Sequence, residues 1–188
     1  EGTTQLAKFG LHPIPNAGKG GSGFEGDYRG FRCGYNWGSA AQVQTKAGGM
    51  QTGSEFWVDL GFDGPPLAIV ERDDQSWRRF KRQVPEAPVR TMDSTFDQRF
   101  IVRCADRAWA ERVLTAELRA ELLKWPLLFL VQWQGKVFFL LSFDGTRLFD
   151  SIDAPQGWGM MERADIFLDG AILLATQLRA THTQIPAA

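Results

Sequence analysis

Apolar and polar residues alternate from Phe31 to Trp37, with Phe31, Cys33, Tyr35 and Trp37 on one side and Arg32, Gly34 and Asn36 on the other. That period of two predicts a half-buried strand. Phe24 to Arg29 reads as its hairpin partner, with Gly30 at the turn, where a positive φ is needed. Ala41 to Lys46, Glu55 to Phe62 and Leu67 to Glu71 read as further strands, separated by Gly48-Gly49 and by Gly61 to Pro66. Arg99 to Cys104 follows as another. Leu127 to Gln134 and Val137 to Phe143 form a hairpin expected to turn at Gly135-Lys136. The second of these is apolar at nearly every position, which predicts a central strand covered on both faces.

Between the strands the spacing becomes helical. Asp73 or Asp74 caps a short helix through Trp77 and Phe80, ended by the Pro85 to Pro88 crossing. Asp106 caps a helix bearing Ala108, Trp109, Val113 and Leu114. Thr115, Leu118, Leu122 and Leu123 continue or restart it as far as Trp125, and Pro126 stops it. Gly159 to Thr181 reads as a long helix with a wide apolar stripe through Phe167, Leu168, Ala171, Leu174 and Leu178, suited to lying across a sheet. The expected fold is therefore α+β: an antiparallel sheet, a meander of hairpins, packed by the long C-terminal helix and a central helix pair.

The chain ends read differently. Gln5 to Leu11 is a helix tail that runs into His12-Pro13-Ile14-Pro15, where proline forbids continuation, and a glycine-rich run to Gly23 follows. The expected organisation is thus a helix tail and flexible linker over 1–23, a single domain over 24–181 and a disordered tail over 182–188. A chain beginning at Glu1 reads as a piece of a longer polypeptide.

Composition narrows the function classes. The 188 residues are 44% hydrophobic and 23% charged, as expected of a globular body that folds by ordinary burial. With 21 basic and 22 acidic side chains the net charge is -1, so no overall field recruits nucleic acid. The apolar runs are far shorter than the ~20 residues of a spanning helix. Cys33 and Cys104 lack the paired spacing of zinc or redox motifs and read as buried thiols, a single bridge being the alternative outside the cytoplasm.

Chemistry-bearing side chains are few. The glycine run from Gly18 to Gly23 lacks the Lys-Ser/Thr ending of a phosphate loop. His12 and His182 stand outside the organised region, which leaves a serine or cysteine nucleophile without its usual base. Asp93, Asp97, Asp106, Asp144, Asp150 and Asp153 sit near turns, where aspartate caps and hydrogen-bonds the backbone. Asp165 and Asp169 lie one helical turn apart, and Arg163 or a strand arginine is a more economical partner for them than a metal. No cofactor, metal or catalytic residue is expected. Trp77, Arg78, Arg79, Lys81 and Arg82 form the densest basic and aromatic segment, flanked by Arg72 and Arg90, and are the candidate surface for a protein partner or membrane. Seven tryptophans either fill the core or line an apolar cavity.

Gly26-Asp27-Tyr28-Arg29-Gly30-Phe31-Arg32, Phe96-Asp97-Gln98-Arg99-Phe100-Ile101-Val102 and the hairpin before an apolar C-terminal helix together resemble a group of actinobacterial proteins. These carry one N-terminal membrane helix and a domain of uncharacterised function, in the neighbourhood of the trehalose monomycolate transport factor family. The resemblance spans Leu6 to Leu178, while the tryptophan-bearing strand from Leu127 to Gln134 departs from the pattern. It implies a membrane-anchored protein with its domain on the cytoplasmic face, a non-catalytic role, and a partner such as a membrane transporter or envelope complex, with lipid export as the setting. An apolar-ligand carrier is the alternative, and a carboxylate hydrolase the next.

Overall fold

Alternating strands broken by glycine turns build one sheet, and the capped apolar helices lie on one of its faces. The computed structural model describes residues 2–15, 21–44, 50–72, 88–125, 129–141 and 163–184. Among them are nine strands: β1 (Leu11–Pro13), β2 (Gly21–Tyr28), β3 (Phe31–Gln44), β4 (Met50–Asp59), β5 (Leu67–Glu71), β6 (Pro88–Val89), β7 (Phe100–Cys104), β8 (Phe129–Trp133) and β9 (Lys136–Leu141). The helices are α1 (Gly2–Ala7), α2 (Ser94–Arg99), α3 (Arg107–Val113), α4 (Ala116–Leu122) and α5 (Ala164–Thr183). The strand order is β1-β2-β3-β4-β9-β8-β5-β7-β6, with antiparallel pairing throughout. The α+β class and the long C-terminal helix are as the sequence predicts.

Several local expectations shift. The first four strands do form a meander, but the β8-β9 hairpin inserts between β4 and β5 instead of extending the sheet at its edge. Its turn lies at Gln134-Gly135, one residue earlier than expected, because both take positive φ and leave Lys136 paired with Trp133. Ala41 to Gln44 does not form a strand of its own: it extends β3, past a register irregularity between Gly38 and Val43. Leu11 leaves the helix and pairs with Gly26 in β1, and Leu6 and Leu11 are fully buried, so part of the expected linker joins the body. Gly21, Ser22 and Gly23 likewise belong to β2. At the other end, His182 and Thr183 continue α5. The short helix expected after Asp73 lies outside the described residues.

The core forms where the sheet meets α5. Tyr35, Phe56 and Phe139 point to the helical face, and Phe167 of α5 stacks on Phe56 at 5.2 Å and meets Phe139 edge-on at 5.3 Å. Gly170 permits that approach, since a Cβ there would lie 2.9 Å from the Phe139 ring. Burying each such aromatic contributes roughly 2 to 3 kcal/mol. Ile166, Ile172 and Leu173, which broaden the apolar stripe, pack partly buried against the same core. The opposite face carries a smaller cluster of Ala68, Val70 and Val131 with Trp133 and Phe138. β5 is buried on both faces, and β9 lies between β4 and β8.

Candidate functional site

Trp77, Arg78, Arg79, Lys81 and Arg82 lie outside the described residues, and the chain on either side of them is paired into the sheet. β5 ends at Glu71, opposite Phe100, and Arg72 N donates to Arg99 O at 2.8 Å. The chain re-enters at Pro88, opposite Arg103. Both flanks are therefore docked on β7. Arg72 is held further, its Nε donating to Gln98 O at 3.2 Å and its Nη2 to Asp97 O.

Around β7 the acids anticipated at turns act as caps and ion-pair partners. Asp93 caps α2, its Oδ1 accepting from Phe96 N at 3.1 Å, while its Oδ2 pairs with Arg119 Nε at 3.1 Å. The Phe96 amide first, and Arg119 second, hold its carboxyl below the ordinary aspartate range. Asp97 accepts from the backbone N and hydroxyl of Thr91. Asp106 caps α3 by accepting from Trp109 N at 2.8 Å, and Thr115 caps α4 by accepting from Leu118 N at 3.2 Å. Thr115 thus restarts the helix rather than continuing it.

Two arginines, Arg99 and Arg119, organise this region. Arg99 donates to Glu71, to Leu123 O and to Trp125 O, joining the end of α2 to β5 and to the end of α4. Arg119 joins α4 to Asp93 and to Leu114 O. Beside them a groove of about 80 Å³ is lined by Val89, Thr91, Ala110, Glu111, Leu114 and Arg119. Met92, next after Thr91, is 88% exposed at φ +65°.

Asp165 and Asp169 take arginine partners, Arg163 at 3.5 Å and Arg29 at 3.2 Å. The Arg29 contact docks the β2-β3 turn on α5. Burial raises the Asp169 carboxyl against the pull of Arg29 and Tyr28, and raises the Tyr28 phenol beside it. On the second sheet face, Asn36 Nδ2 donates to Glu55 Oε1 at 2.9 Å, and Lys136 Nζ lies 4.0 Å from the Trp57 ring centre. Burial raises the Glu55 carboxyl, opposed by Asn36 and then Lys136.

Cys33 and Cys104 are buried thiols rather than a bridge. Burial pushes the Cys33 thiol up to about 11, away from the thiolate a nucleophile needs. His12 is exposed on β1, and exposed His182 stacks on Phe62 at 4.0 Å. Among the tryptophans with described side chains, Trp57 and Trp109 are buried and Trp125 and Trp133 partly so. Asp144, Asp150 and Asp153 lie outside the described residues. Among the described residues no group of three or more His, Cys, Asp or Glu gathers to hold a metal, and no helix is long and apolar enough to cross a membrane. Set against protein-family models, curated proteins and solved structures, the chain matches none.

Proposed function

We propose that the chain is the partner-binding accessory domain of a membrane-anchored cell-envelope protein, working by contact rather than by catalysis. Its setting, by the resemblance above, is export of a mycolate-type lipid beside a membrane transporter, with the domain on the cytoplasmic face. One observation carries the non-catalytic reading: the acids around β7 and on α5 are spent on helix caps, on Thr91 and on arginine partners. Carboxylates committed to such bonds are architectural, whereas a carboxylate hydrolase needs two acids converging on one substrate.

The core supports the same reading over that of a lipid carrier. Tyr35, Phe56, Phe139 and Phe167 pack on one another, filling the space where an apolar ligand would sit. The groove beside Arg119, at about 80 Å³, is small against the several hundred Å³ of a typical ligand pocket. The contact surface assigned is the segment of Trp77, Arg78, Arg79, Lys81 and Arg82, whose flanks are docked on β7. Buried thiols at Cys33 and Cys104 accord with a reducing compartment.

Native mass spectrometry of the purified protein separates this reading from its rival. The accessory domain predicts the mass of the chain alone. A retained lipid would instead make the chain a carrier.

A further inference from the structure

Trp109 on α3 and Gln132 on β8 are each 2% exposed or less, and among the described residues each holds one polar atom without a partner. Gln132 Nε2 donates to Gly64 O at 3.0 Å, which fixes the amide orientation and leaves Oε1 as an unpaired acceptor. Trp109 Nε1–H is an unpaired donor. Both side chains border the same residue: a Cβ at Gly64 would lie 3.5 Å from Trp109 Cζ2, which is two bonds from Nε1, and 3.1 Å from the Phe62 ring. Gly64 therefore touches both side chains, its carbonyl bonded to Gln132 and its Cα closely faced by the Trp109 and Phe62 rings.

The geometry points to a binding site for one internal water at this position, beneath the connection from β4 to β5. Water accepts from Trp109 Nε1–H and donates to Gln132 Oε1, the complementary pair of functions that neither side chain supplies to itself. Its second hydrogen suits a carbonyl of the connection, where Pro65 and Pro66 bring acceptors without N–H donors. Ordering a single water costs less than leaving two buried polar atoms bare. The water ties residues 60–66 to α3 and β8, alongside the bond from Leu60 N to Gly135 O at 2.8 Å.

Water-selective NMR on the ¹⁵N-labelled protein tests this, with the Trp109 indole signal assigned by its disappearance in Trp109→Phe or by triple resonance. The wild-type indole proton is expected to show a cross-peak to water whose NOE and ROE signs mark a long-lived bound molecule. That peak should vanish in Gln132→Leu. Its absence from the wild-type protein, or its survival in Gln132→Leu, overturns the site. Should Gln132→Leu fail to fold, a high-resolution crystal structure of the wild type decides. An oxygen within hydrogen-bonding distance of both atoms supports the site, and direct Trp109–Gln132 contact or a dry gap rejects it.

Discussion

Arg99 Nη2 lies 2.9 Å from Glu71 Oε1, a pair of side chains only 28% and 16% exposed. The same guanidinium bonds Leu123 O at 2.7 Å and covers the Phe100 ring at 4.8 Å. One side chain thus fastens β5, α2, β7 and the end of α4. Arg99→Ala leaves a half-buried carboxylate and two carbonyls without their donor, a loss of about 2 to 3 kcal/mol. Urea unfolding checks it. Arg99→Lys should recover only part of that stability, because a point ammonium cannot reach the carboxylate and both carbonyls together.

Helix caps account for much of the polar patterning. Asp106→Ala and Thr115→Ala should each cost about 1 kcal/mol in equilibrium unfolding, with Asp106→Asn close to wild type. Asp93 adds a pH signature. Its folded pKa is depressed, so its contribution is present above the unfolded value of about 3.9 and is lost as pH falls through the lower folded value. Urea midpoints followed downward from about pH 5 should therefore fall more steeply for wild type than for Asp93→Asn.

Glu55 carries the opposite sign. Burial raises its pKa, so the folded state favours the protonated form: that favourable term is complete below the unfolded pKa and is lost as pH rises through the folded one. Glu55→Gln retains the acceptor for Asn36 and removes the buried charge. It should match or exceed wild-type stability at neutral pH, and its advantage should shrink on acidification. Urea titrations at several pH values measure that difference.

Gly26 allows Gly10, just before β1, to approach β2 closely. A Cβ there would lie 1.9 Å from Gly10 O, a backbone atom that cannot swing away. Gly26→Ala should destabilise by roughly 3 kcal/mol or more, whereas Gly30→Ala, with open space around it, should lose only the smaller penalty of its positive φ. Thermal melts of the two variants give the comparison.

Local signals in the sequence were sufficient where one residue decides the structure. Asp106 and Thr115 begin helices, Leu67 to Glu71 is a strand to the residue, and the partners of Asp165 and Asp169 are arginines. Long-range pairing left no comparable trace. Nothing in the spacing shows that β8 and β9 insert beside β4, or that Leu11 turns from helix to strand, because both are settled by partners distant in the chain. Helix α2 leaves no signal in the sequence beyond its cap Asp93, since its six residues are too few for apolar periodicity to register. Arg99 and Arg119 look like surface cations in the sequence. Only the converging carbonyls and acids reveal their structural task.

The central claim is that the basic and aromatic segment between β5 and β6 engages a partner. Paired affinity capture from the native cells, using the protein with and without Arg78→Glu, Arg79→Glu and Arg82→Glu together, tests it most directly. A membrane transporter or envelope complex should be recovered with wild type and reduced about tenfold or more with the triple variant, at an unchanged urea midpoint. Equal recovery by both, or no partner with either, would contradict the account.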